Sequence, residues 1–144
     1  MARVKAALLW LWQLPQHLAA LALMAALKPT KHMTECGIAW HKFKRDTWFS
    51  RFISGVSLGQ YIFLADEIPA VIKHEHGHSI QSRRLGPLYL LAVGIPSALF
   101  NNLWDRLFHK SWPARVRREW YYSRWPEKQA DRLGGVARPW EGGA

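Results

Sequence analysis

Cysteine is almost missing from this chain. Cys36 is the single one in 144 residues, so no intrachain disulfide can form, and the thiolate clusters of structural zinc and iron–sulfur sites are excluded. Any metal has to be held by histidine and carboxylate. Acidic side chains are also scarce, ten against twenty Lys and Arg. The resulting net charge of +10 suits an acidic or amphipathic partner surface. The basic residues are scattered among "HKFKR", "QSRR" and "RVRREW" and form no recognised reading motif, so no specific nucleic-acid partner is expected. No internal repeat and no low-complexity block is present.

An unbroken apolar run is missing too. Residues 6–27, "AALLWLWQLPQHLAALALMAAL", are long enough to span a bilayer, with Arg3 and Lys5 before them and Lys28 and Lys31 after. Gln13, Pro15, Gln16 and His17 sit in the middle, where polar groups are costly in lipid and proline bends a helix. The segment reads as a buried or membrane-surface helix broken near Pro15, with a secretory signal as the alternative. Residues 88–108 form a second apolar helix interrupted by Gly94 and Pro96, either a core helix or one arm of a membrane-embedded hairpin. Nine tryptophans together with the positive charge fit an anionic membrane surface, because Trp favours the headgroup layer. A solvated basic surface over partly buried Trp explains the same composition. The expected location is cytoplasmic or membrane-associated, and no oligomeric state is implied.

A chain of this length makes one domain, residues 1–144. Between residues 34 and 64 the segments "ECGIAWHKF", "DTWFSRFIS" and "GQYIFLAD" are short and rich in aromatic and β-branched residues, which predicts three antiparallel strands. Pro69 then opens a helix over 69–85 that Gly86 and Pro87 end. Pro126 and Gly134 bracket a short helix over 126–134. The basic, aromatic stretch from Ser111 to Arg124 precedes it, and "VARPWEGGA" reads as a loose end. The fold class expected is α+β: a small antiparallel sheet packed on the 69–85 helix, with additional apolar helices.

The chemistry lies inside that helix. His74, Glu75, His76, Gly77 and His78 fill the pattern H-E-x-x-H. Residues four apart on an α-helix lie about 40° apart around its axis, so both imidazoles can converge on one tetrahedral ion. Glu75 leans toward the same side, where it can take a proton from water and hand it to a leaving amine. A catalytic zinc needs a third protein ligand, and "PEKQADRLGG" offers Glu127 with Asp131 one helical turn further on. On a helix these two share a face, so Glu127 can ligate while Asp131 orients a ligating His. Gly77 suits close approach of another helix. His76 points away from the metal face. Gln81 and Ser82 are either supports of the site or helix-surface polar residues, the latter being the default. His17, His32, His41 and His109 read as solvated.

H-E-x-x-H followed by E-x-x-A-D resembles the gluzincin class of metallopeptidases, among them membrane-associated CAAX-processing and heat-shock proteases and the single-domain minigluzincins. Over residues 53–136 the chain is also similar to a set of small bacterial zincin-like proteins with no known substrate, carrying "KHEHGHSIQSRRLGPLYLLAVGIPS" and "YYSRWPEKQADRLGG". The resemblance implies a zincin-like fold. It implies Zn2+ bound by His74, His78 and Glu127, Asp131 as orienting carboxylate, and Glu75 activating a metal-bound water in a metalloendopeptidase acting on peptides or proteins. By the same analogy "GQYIFLAD" is the edge strand along which substrate pairs. The families' oxyanion-stabilising motif is not apparent here, and Tyr122, beside Tyr121, is the candidate for that role. A non-catalytic zinc-stabilised scaffold or membrane-surface binding protein is the alternative reading.

Overall fold

The computed structural model describes residues 2–35, 38–47 and 49–141. Cys36, and the part of the second expected strand at Trp48, lie outside them. The chain begins with helices α1 (Ala2–Trp12) and α2 (Leu14–Leu27), bent by 80° at Gln13. Strands β1 (Lys31–Glu35), β2 (Ile38–Lys42), β3 (Gly55–Leu58) and β4 (Tyr61–Leu64) follow. Helix α3 runs over Pro69–Leu85. Beyond a tight turn at Gly86–Leu88, the chain continues through wide π-type turns at Leu90–Gly94 and Pro96–Leu103 into α4 (Trp104–Phe108). Helices α5 (Ala114–Tyr122) and α6 (Glu127–Gly134) complete the fold.

The architecture is α+β, with a mixed sheet of four strands in the order β1-β2-β4-β3. It corrects the expectation of three antiparallel strands, since β2 and β4 run parallel with Trp40 opposite Ile62. Among the described residues the segment "DTWFSRFIS" contains no strand, and Phe49–Arg51 form a turn of 3₁₀ helix. Thr47 and Ser50 account for this locally. The Thr47 hydroxyl donates to Lys44 O (3.1 Å) and accepts from the Ser50 amide (3.2 Å). Such short-range bonds compete with a strand ladder.

The sheet is covered on both faces. Phe63 packs with Ala20, Leu27 and Phe43 on the α2 side. Ile62, Leu64 and Trp40 pack against Val71 and Ile72 of α3. Burial on both faces explains why Ile62, Phe63 and Leu64 form a continuous apolar run instead of alternating with polar residues.

It also corrects the expected substrate strand. β4, the core of "GQYIFLAD", is an interior strand, and the edge lying over α3 is β3. Ser54 O accepts the Ala65 amide (2.9 Å), which fixes the pairing phase. Alternation then turns the backbone groups of Gly55 and Ser57 toward the open edge.

The polar residues in the middle of 6–27 are buried against protein. Ser82 Oγ donates to Gln13 Oε1 (2.9 Å), Gln16 Nε2 donates to Gly86 O, and His17 Nε2 accepts the Gln60 amide (3.2 Å). No helix among the described residues is long and apolar enough by itself to cross a membrane.

Candidate metal centre

Helix α3 begins where Pro69 supplies the fixed φ of a first helical turn. It stops at Gly86, whose φ of 53° a side chain would disfavour. Helix α6 lies directly on it. A Cβ at Gly77 would stand 1.9 Å from Ala130 O, and one at Gly134 would stand 1.9 Å from Lys73 O. The two backbones therefore touch because neither position has a side chain. That contact brings Glu127 over the turn of α3 carrying both histidines.

Glu127 is fully buried at 0% exposure. Its Oε2 lies 3.0 Å from His74 Nε2 and 3.1 Å from His78 Nε2. Two ligands about 2.05 Å from one ion at the tetrahedral angle are about 3.3 Å apart, so these separations match a shared ion to within a few tenths of an ångström. His74, His78 and Glu127 can thus hold a metal ion. Buried Glu127 Oε1 and Glu75 Oε2 have no hydrogen-bond partner among the described residues. Orphaned carboxylate oxygens are costly in a protein interior unless something cationic or protic meets them, and a divalent ion fits that need.

The opposite ring nitrogens are anchored. His74 Nδ1 bonds Asp131 Oδ1 (2.8 Å), and His78 Nδ1 bonds Gln81 Oε1 (2.7 Å). Each contact fixes the ring and directs its Nε2 toward Glu127. Arg138 grips Asp131 through two bonds of 2.7 Å and covers the Tyr122 ring at 3.6 Å. Gln81 also donates to Pro126 O (3.1 Å) and Gln129 Oε1 (2.9 Å), tying α3 to the start of α6.

Gln81 and Ser82 are therefore buried, contrary to the helix-surface default. Their legible signal is spacing, because 74, 78, 81 and 82 share one face of α3. Arg138 had no such signal: it lies in the tail expected to be loose, and only folding returns it to Asp131. His17, His41 and His109 are buried as well, correcting their reading as solvated. His109 stacks on Trp112 at 3.8 Å and meets the edge of Trp120 at 4.3 Å. Aromatic partners far along the chain, or on a neighbouring element, supply this burial.

Burial lowers the affinity of His74 for its proton, but hydrogen bonds to Asp131 and Glu127 outweigh it and hold the pKa up to about 9. His78 is raised likewise, with Glu127 overcoming burial. Glu127 is driven well below the usual carboxylate range, the two imidazoles overcoming its own desolvation. Glu75 moves the other way. Burial pushes it up, and His78 and His74 only partly pull it back. These opposed carboxylates, one locked as an anion and one inclined to hold a proton, are the pattern of a ligand beside a proton-transfer group.

A cleft of about 100 Å³ opens beside the cluster. It is bounded by β3 on one side and by Tyr89, Ser97 and Asn102 on the other, with His74, Glu75, His78 and Glu127 at its floor. Gly55 lies against Glu75, where a Cβ would come 2.7 Å from Oε1. The Tyr89 hydroxyl spans the cleft and donates to Ser57 O (3.1 Å). Tyr121 lines this cleft. Tyr122 lines an adjoining recess, its ring edge-on to His74 at 5.1 Å. His76 takes no part in the cluster.

The chain matches no known family model, no curated protein and no solved structure. What the structure shows is the cluster of His74, His78 and Glu127, which could hold a metal ion.

Proposed function

We propose that this protein is a zinc-dependent peptide hydrolase in which His74, His78 and Glu127 hold the ion and Glu75 moves the proton. The observation that carries this reading is the buried Glu75 carboxyl, one oxygen without a partner, at the floor of a cleft that also contains the three-ligand cluster. A purely structural site has no use for that group. Zinc is the ion of choice for a two-imidazole, one-carboxylate set, and when bound it supplies the Lewis acidity that polarises a carbonyl and acidifies water.

Glu75, with its raised proton affinity, accepts a proton from the attacking water and returns it to the departing amine nitrogen. Asp131 and Gln81 hold the two imidazoles in the tautomer that offers Nε2. For the developing oxyanion we assign Tyr121 in place of Tyr122. It lines the cleft with Glu75 and Glu127, and burial first, then Glu127, keep its phenol protonated well above the ordinary range. The ring of Tyr122 is instead occupied by Arg138 and His74. The open backbone groups of Gly55 and Ser57 offer an extended peptide a strand to pair with, once the Tyr89 hydroxyl yields Ser57 O.

Glu75→Gln tests the reading, assayed on an unstructured protein such as casein with zinc content measured in parallel. The variant should keep its zinc and lose at least about a hundredfold in rate, the lower end of what general acid–base catalysis contributes. Undiminished hydrolysis by a zinc-loaded variant would overturn it.

The near-complete burial of the cluster favours a second reading, in which the ion only braces α3 against α6. On that reading Tyr89 remains across the cleft, no peptide is cut by wild type, and chelation simply unfolds the chain.

A further inference from the structure

The helix that walls the cleft has two contrasting sides. Its inner residues Tyr89, Val93 and Asn101 are buried. Its outer side carries Leu88, Leu91, Ile95, Leu99, Leu103 and Leu107 at steps of three or four, between 42% and 66% exposed. The wide turns at Leu90–Gly94 and Pro96–Leu103 have more residues per turn than an α-helix, so a step of four keeps these side chains on one line.

An ordinary surface helix turns such a stripe inward. Helix α1 shows the same inversion, with Val4, Leu8, Leu11 and Trp12 exposed and none of its residues buried. The two surfaces meet where the Trp12 indole lies against Gly86 and donates to Arg83 O (3.0 Å). Exposed apolar rows of this extent mark a docking face.

Charge identifies what docks. Residues 2–34 and 76–104, which carry all of both surfaces except Leu107, include no Asp or Glu, while Arg3, Lys5, Lys28, Arg83 and Arg84 lie among them; Asp105, further along the same helix, is mostly buried and paired with Arg117. Half-exposed Trp104 and Trp125 stand by the patch, and Trp125 Nε1 donates to Ala92 O (3.4 Å). Apolar residues bordered by cations and indoles, with the one acid of that helix neutralised by Arg117, complement an anionic lipid surface. We propose that the outer face of the Leu88–Phe108 helix, together with α1, docks on an anionic bilayer surface. The helices lie in the interface, and the proposal is independent of whether the metal centre hydrolyses anything.

The test is co-sedimentation of the full chain with vesicles made of equal parts phosphatidylcholine and phosphatidylglycerol, against phosphatidylcholine alone. Trp emission and light scattering of the free protein are recorded alongside. Wild type should pellet with the anionic vesicles, shift its emission to the blue and be released by salt. L91D and L99D alter only exposed positions and should keep the native circular dichroism spectrum, while each lowers vesicle affinity about tenfold, the worth of one buried leucine. Equal pelleting of wild type and both variants would overturn the proposal, as would equal binding to neutral vesicles. A wild type that forms a dimer in buffer, dissociated by L91D, and ignores vesicles would overturn it in favour of a second copy of the chain.

Discussion

Gln81 does two things at once. Its carbonyl oxygen accepts from His78 and its amide nitrogen reaches two groups at the start of α6. Removing the acceptor leaves the His78 ring free to turn, and loss of such a supporting contact costs about 10–100-fold in metal affinity. Gln81→Leu should therefore weaken zinc binding by that factor in a competition titration with a chelating dye, and Gln81→Glu, which keeps an acceptor, should recover most of it. The histidines also make the site pH-dependent. Without metal, folded His74 keeps its proton up to about 9, while unfolded histidine releases it near 6.5. Its protonation thus stabilises the fold fully below pH 6.5, and that contribution disappears as pH rises to about 9. The melting temperature of the metal-free chain should fall across this interval. Zinc affinity should rise over the same range, because His74 must release a proton to bind. Calorimetry in buffers of different ionisation enthalpy measures the released proton directly.

At the scale of the element, α3 and α6 are joined where a side chain would not fit. Gly77→Ala and Gly134→Ala each force a methyl group into a backbone carbonyl. Overpacking of this kind costs about 1–3 kcal/mol, so each should lower the melting temperature by up to about 10 °C and weaken metal binding as α6 shifts. These two helices were also the readable part of the fold. Pro69, Gly86, Pro126 and Gly134 punctuate them, and the four-residue spacings of their ligands carry meaning only on a helix. The strands were less legible because β4 is buried on both faces and loses its alternation. The parallel pairing of β2 with β4 depends on a connection that no local pattern encodes. The supports of the site were split in the same way. Gln81 shares a visible face with the histidines, while Arg138 reaches Asp131 from an irregular segment.

Across the whole molecule, the three candidate ligands join α3 to α6, so an ion held there would tie together segments some fifty residues apart. A chelator should lower the melting temperature of zinc-loaded protein, with excess zinc reversing the change. Variants lacking Glu127 should no longer respond. The polar break in the first apolar segment belongs to this scale as well. Gln13, Gln16 and His17 are costly in lipid but find partners in this fold, Gln16 through its amide nitrogen, because the C-terminal end of α3 and the β3–β4 turn offer them. Sequence located the break, and only the assembled chain supplied its reason.

Where α3 meets α6, main chain rests on main chain, and the thickness of the polypeptide acts as a fixed gauge for whatever sits between the rings and the carboxylate. With the helix spacing fixed and the rings anchored by Asp131 and Gln81, an ion held there would be selected by its radius. Zinc, about 2.0–2.1 Å from its donors, fits. Calcium, at about 2.3–2.6 Å and in need of six or more oxygens, should be turned away even at a large excess.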